Sequence, residues 1–134
     1  MIGALSAQFA HMIHYRIIGM IWLLFGVVGV VLCVHECLRL LQMGELLEDN
    51  AVVSCYIGFG FCALAAMTSI GILRAKAWAR FIMSTVAILL GLYLFSFLAM
   101  VGLEFGVLDY ALSWFGIAFV AYTLTVIRRF RPQT

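Results

Sequence analysis

The sequence is short of charge and of proline. Only 10% of its 134 residues are charged, whereas an average soluble domain has about 25%. Its one proline, Pro132, lies near the end of the chain, so no proline-rich linker divides it. Hydrophobic residues make up 66% of the chain, and the mean hydropathy is +1.18. A chain with so little polar surface cannot cover itself in water, and we predict an integral membrane protein.

The sequence also lacks the short motifs of common enzyme chemistry. It has no phosphate-cradling glycine loop, no HExxH motif and no GxSxG motif. No ionisable residue falls near the middle of an apolar run, where ion-coupled transporters usually place one. This argues against proton-coupled transporters of the small multidrug type, which carry a membrane-embedded glutamate in the first helix. We predict no catalytic residue, no metal and no cofactor.

Four long apolar runs occupy most of the chain. Each is near or above the roughly 20 residues that cross a hydrocarbon core of about 30 Å. In lipid, such a run forms a helix because its backbone groups need internal hydrogen bonds. We therefore predict an all-α, antiparallel four-helix transmembrane bundle over residues 17–127, with spans at about 17–38, 51–73, 77–102 and 105–127.

The two ends of the chain are predicted to lie outside the bilayer core. Residues 1–16 carry apolar side chains on one helical stripe, which is typical of a short interfacial helix lying along the membrane surface. Residues 128–134 form a short basic tail.

Basic residues are distributed unequally between the two sides of the predicted bundle. Of the eight basic residues, only Arg39 lies in the connection after span one. The other seven lie in three segments on the opposite side, which are the N-terminal arm, the turn between spans two and three, and the tail: Arg16, Arg74, Lys76, Arg80, Arg128, Arg129 and Arg131. Cytoplasmic connections carry an excess of lysine and arginine. We therefore predict a multi-pass protein of a bacterial inner, or cytoplasmic, membrane with both termini in the cytoplasm.

The turn between spans two and three is basic and contains a tryptophan. Its residues are Arg74, Lys76, Trp78 and Arg80, within the segment LRAKAWARF. Cations near an anionic membrane surface contribute on the order of 1 kcal/mol each. Two interpretations stay open: a signal that sets topology, or a site that binds lipid headgroups or a partner.

Small residues recur at helical spacing on the first two spans. We call them the packing seam, and they comprise Gly19, Gly26, Cys33, Gly58, Cys62, Ala65 and Ser69. Small side chains at such spacing let helices approach closely in lipid.

Two further cysteines face each other if spans one and two form a hairpin that turns near Leu46. This hairpin places Cys37 beside Cys55. Cysteine serves as a small packing residue, or the pair forms a disulfide in an oxidising periplasm. On a helix, His35 points away from the neighbouring cysteines, so we predict no shared metal site.

Polar residues gather at the predicted outer ends of the spans. We call them the outer-mouth cluster, and they are His35, Glu36, Arg39, Glu104 and Asp109. One interpretation is that they are solvated or contact headgroups. The alternative is that Arg39 pairs with Glu36 or Asp109 to close this end of the bundle or to receive a partner.

From size and the missing motifs we predict a non-catalytic accessory or regulatory subunit. Its expected partners are the lipid bilayer and either another membrane protein or further copies of the chain, with no nucleic acid. Two other functions remain open: a homo-oligomeric channel or transporter for ions or small molecules, and an immunity protein against a pore-forming toxin.

Overall fold

Apolar runs without an internal proline propagate as helices, and the computed structural model of the chain contains four of them. They are α1 (Ile2–Gln42), α2 (Asp49–Leu73), α3 (Ala77–Val101) and α4 (Val107–Arg129). The structure describes residues 1–42, 49–101 and 106–129, with side chains described over 1–42, 52–99 and 106–129.

All four helices are long and apolar enough to cross a membrane. The second and third have 25 residues each and the fourth has 23. At a rise of 1.5 Å per residue they are about 35 Å or more in length, against a hydrocarbon core of about 30 Å. The prediction of an all-helical, multi-pass membrane protein is confirmed.

The first helix is longer than predicted. It has 41 residues and runs without a break through the segment that we expected to form a separate interfacial helix. Neither proline nor glycine occurs between His11 and Arg16, so nothing in the backbone interrupts the helix there. At 1.5 Å per residue α1 is about 60 Å long. About half of it therefore extends beyond a hydrocarbon core.

The chain divides into two compact units. One comprises residues 16–79, and we call it the α1–α2 unit; the other comprises residues 1–15 and 80–134, and we call it the α3–α4 unit. Each contains one pair of packed helices.

In the α1–α2 unit the two helices touch at their backbones. A Cβ atom added to Gly26 would lie 2.7 Å from the Ala66 nitrogen and 2.8 Å from the Cys62 carbonyl oxygen. Towards the start of α1, Gly19 lies against Leu73, and towards its end Cys33 lies against Gly58. Because the α2 numbers fall as the α1 numbers rise, the two helices run in opposite directions along this contact. The side chains buried in this unit are Ile18, Trp22, Cys62, Ala65, Thr68, Ser69, Ile72 and Ala79.

Two fully buried hydroxyl groups on α2 are satisfied by their own helix. Thr68 donates to the Leu64 carbonyl oxygen and Ser69 to the Ala65 carbonyl oxygen, each at 2.6 Å. Bonding of this kind to the preceding turn is common for serine and threonine. It allows polar side chains to lie in a packed, water-poor interface without a partner on another helix.

In the α3–α4 unit the packed pair is also antiparallel. A Cβ atom on Gly91 would lie 3.2 Å from Val120 Cγ1, and one on Gly116 would lie 2.8 Å from Leu94 Cδ1. The buried side chains of this unit are Tyr15, Met83, Val86, Ala87, Ser113, Val120, Thr123 and Ile127. The acid Asp109 in the first turn of α4 and two arginines in its last turn complement the helix dipole.

The turn after α2 closes with a Schellman motif. The Lys76 N–H donates to the Gly71 carbonyl oxygen and the Ala75 N–H to the Ile72 carbonyl oxygen, both at 2.9 Å. This arrangement requires a left-handed residue after the helix, and Ala75 supplies it with a φ of 54°. Glycine usually occupies this position because a Cβ atom is strained there.

We expect Ala75→Gly to stabilise the protein by about 0.5–1 kcal/mol, because glycine removes the left-handed strain at some cost in unfolded-chain entropy. The free energy of unfolding would be measured by denaturant titration in non-ionic micelles. Ala118→Gly, at an exposed position inside α4, is the control and should destabilise by about 0.5–1 kcal/mol. Equal effects of the two substitutions would contradict this account of the turn.

We expect Gly26→Ala to destabilise the protein by about 1–3 kcal/mol, because the added methyl group meets backbone atoms that cannot turn aside. Gly60→Ala is the matched control, since a Cβ atom there meets nothing within 4 Å. That control should be neutral or stabilising by up to about 1 kcal/mol through helix propensity. The same unfolding titration compares the two variants, and an unchanged stability of Gly26→Ala would refute the close approach.

Candidate functional site

Three residues of the outer-mouth cluster lie together on α1. Arg39 Nη1 lies 3.7 Å from Glu36 Oε2, and the two side chains are 58% and 48% exposed. An exposed ion pair of this kind contributes at most about 1 kcal/mol. His35 is also exposed. Glu104 lies outside the described residues.

The four cysteines form two neighbouring pairs along the α1–α2 contact. The thiols of Cys37 and Cys55 lie within hydrogen-bonding reach of each other, as do those of Cys33 and Cys62. All four are free thiols. The described residues contain no group of three or more histidine, cysteine or acidic side chains that could hold a metal. The chemistry open to these pairs is therefore that of two thiols, and the two interpretations of Cys37 and Cys55, packing residues or a disulfide, both stay open.

The packing-seam residues lie in the α1–α2 unit, several of them at its closest contacts. Gly19 faces Leu73, Gly26 faces the α2 backbone, and Gly58 would place a Cβ atom 3.3 Å from Cys33 Sγ. Ala65 and Ser69 are fully buried. A further glycine, Gly29, which was not assigned to the seam, faces the Cys62 sulfur.

Two of the three cations of the basic turn are exposed, and the third, Arg80, is half-buried. Arg74 and Lys76 are exposed, and Trp78 is 52% exposed with one ring edge 3.0 Å from the Cβ position of Gly71. The indole thus covers the end of α2 while the two cations stay accessible to headgroups. This geometry is compatible with both interpretations of the turn.

A cleft opens between α3 and α4 on the side of their contact towards the first turn of α4. Its volume is about 300 Å³, and its lining residues are Tyr93, Leu94, Phe97, Asp109, Leu112 and Ser113. On each helix these positions share one face, because residues three and four apart lie above one another. Ser113 donates its hydroxyl proton to the Asp109 carbonyl oxygen at 2.9 Å. Among the described lining residues, Asp109 is the one with a charged side chain, and it is exposed.

The structure also reveals a side-chain contact that the sequence analysis missed. His14 Nδ1 and the Tyr122 hydroxyl oxygen are 2.6 Å apart, and the two rings meet edge to face. This hydrogen bond ties the first part of α1 to α4 within the α3–α4 unit. The two residues are 108 positions apart, and no sequence pattern pairs residues at such a separation.

Together these features define the chain as a multi-pass helical membrane protein with a thiol-lined helix contact in one unit and an acidic, aromatic cleft in the other. No family model, curated protein or solved structure matches the chain.

We expect mild oxidation to join Cys37 and Cys55, because the structure places their thiols side by side. The test variant carries Cys33→Ala and Cys62→Ala, and diamide would take up the two hydrogen atoms that the thiols lose. After oxidation, maleimide-polyethylene glycol should add to neither cysteine; after reduction it should add to both, as a gel shift shows.

The matched control carries Cys33→Ala and Cys55→Ala, which leaves Cys37 and Cys62. These two belong to different pairs, so both thiols should remain reactive after the same treatment. Full maleimide labelling of oxidised Cys37 and Cys55 would contradict the predicted pairing, and a dimer band would reveal a bond between chains.

Proposed function

We propose that the protein is a non-catalytic accessory or regulatory subunit of a bacterial inner membrane that binds a transmembrane helix of another membrane protein. The proposal includes an antiparallel four-helix bundle with both termini in the cytoplasm. The supporting argument for that topology is the predicted placement of seven of the eight basic residues on one side.

The observation that carries the proposal is an exposed face of α2 with a glycine in it. Tyr56 and Ile57 are 72% and 68% exposed, and Met67 is exposed two turns beyond Gly60. A Cβ atom on Gly60 would meet nothing within 4 Å. Small residues at lipid-facing positions let another helix approach closely, and large neighbours then provide packing area on either side.

This face differs from the packed face of the same helix. The packed face carries small or hydroxyl side chains such as Cys62, Ala65 and Ser69, which are buried against their own chain. Gly60 lies on the other side of α2, so a partner helix is the ligand that would use its open backbone. We assign the partner contact to this face and call it the Gly60 face, defined by Tyr56, Ile57, Gly60 and Met67.

A second candidate function is a homo-oligomeric channel or transporter for small molecules or ions. The cleft between α3 and α4 favours this candidate because Asp109 places a negative charge beside an apolar wall.

We expect a photoreactive group on the Gly60 face to capture one foreign membrane protein. p-Benzoylphenylalanine would replace Tyr56, and the chain would be irradiated in its own membranes at native expression, followed by mass spectrometry of the products. The same group in place of Phe81, which is 78% exposed on α3, is the position control and should give at least fivefold less of that product.

The second part of the crosslinking experiment places a bulky side chain on the Gly60 face. Gly60→Leu should reduce the crosslink from position 56 at least fivefold while the chain stays folded, because the added side chain enters open space. Gly3→Leu, at another open glycine, should leave it unchanged. Crosslinks only between copies of the chain would favour the homo-oligomeric candidate, and no protein product would overturn the proposed partner face.

A further inference from the structure

The cleft between α3 and α4 has two chemically different walls. Tyr93 and Phe97 stand one helical turn apart on α3 and contribute aromatic rings. Asp109 on α4 contributes a carboxylate, and Leu94 and Leu112 complete an apolar lining. A carboxylate and aromatic faces around one space are the groups that recognise an organic cation.

The charge balance of the cleft favours a positively charged ligand. Among the residues that the structure describes, the lining contains no lysine, arginine or histidine. Among the side chains that the structure describes, Arg39 forms an ion pair with Glu36, and Asp109 has no cationic partner. The Ser113 hydroxyl proton is donated to the Asp109 backbone carbonyl. The Asp109 carboxylate and the Tyr93 hydroxyl are therefore the polar side-chain groups of the described lining that are left to meet a ligand.

The same composition argues against a metal ion as the ligand. Calcium takes six to eight oxygen ligands, and magnesium needs a near-octahedral set of oxygen ligands. The described part of the lining offers one carboxylate, and the described residues hold no metal-binding group of three acidic, histidine or cysteine side chains. Aromatic rings do not coordinate such ions, but they do contact alkyl groups on a quaternary nitrogen.

The size and surroundings of the cleft limit the ligand further. A volume of about 300 Å³ is at the small end of ligand sites in proteins, which suits a headgroup and the first carbons of a chain. Leu92, Phe95 and Phe115 nearby on the two helices are exposed apolar side chains. A hydrocarbon chain that leaves the cleft would lie against such surfaces in the bilayer.

We propose that this cleft binds the ammonium group of an amphiphilic organic cation. Asp109 pairs with the charge, Tyr93 and Phe97 contact the ammonium group and the carbons next to it, and the alkyl chain follows the α3–α4 surface into the lipid. The ligand is either the ethanolamine headgroup of a phospholipid or a free alkylammonium amphiphile. This site is separate from the Gly60 face and does not depend on the proposed subunit function.

The test uses the full chain in neutral dodecyl maltoside micelles. The probe is dodecyltrimethylammonium with a diazirine in its chain, and labelled peptides are mapped by tandem mass spectrometry. We expect saturable labelling of segments 93–97 and 109–113. Probes with the same chain and a sulfate or maltoside headgroup should label these segments at least tenfold less. Equal labelling by all three probes would overturn the proposal.

Asp109→Asn should weaken the apparent affinity for the ammonium probe at least tenfold, and Asp109→Glu should retain most of it. Glu36→Gln is the matched control: it removes the same charge from an exposed acid in the other unit and should change the affinity less than twofold. Circular dichroism would verify that each variant is folded. An Asp109→Asn variant that is folded and binds normally would refute the site.

Competition distinguishes the two sources of the ammonium group. If phosphatidylethanolamine displaces the probe and phosphatidylglycerol does not, the site takes a lipid headgroup. If neither lipid competes but tetra-alkylammonium salts do, the site takes a free cation. Displacement by phosphatidylglycerol alone would contradict recognition of a cation.

Discussion

The close approach of α1 and α2 at Gly26 is the constraint on which the α1–α2 unit depends. In lipid, apolar side chains gain nothing from leaving water, so two helices associate through dispersion contacts and therefore need backbones that can come close. Gly26 allows this, since any Cβ atom would meet the Ala66 backbone. Once the backbones touch there, the register of the antiparallel pair is set in both directions along the helices. The two thiol pairs are a consequence of that register.

The polar groups show how each unit reconciles packing with chemistry. Thr68 and Ser69 lie fully buried because each hydroxyl donates to its own helix. Three charged side chains instead lie near helix ends: Glu36 and Arg39 near the end of α1, and Asp109 in the first turn of α4. The α3–α4 cleft combines such a carboxylate with apolar walls, which neither helix provides alone.

The sequence predicted some contacts well and missed others, and the reason lies in the separation along the chain. Cys37 and Cys55 were expected to be neighbours because a short connection joins two helices of known rise, and the structure places them together. His14 and Tyr122 are 108 positions apart, and no local pattern connects them. The structure continues α1 through residues 2–16, where a short interfacial helix was predicted. An amphipathic stripe shows which face is apolar, but it does not show where the helix begins or ends.

The sequence by itself determined the class of the protein: four apolar runs, too long and too poor in charge for a soluble domain, each required by lipid to form a helix. It also determined the basic connection between the second and third apolar runs and the unequal distribution of basic residues. The tertiary structure alone decided that Asp109 shares a cleft with Tyr93 and Phe97, and that Gly60 stays open while Gly26 is filled by a neighbouring helix. Composition and periodicity specify which residues share a helix face, but the face that meets another helix is selected by the fit of side chains from distant segments.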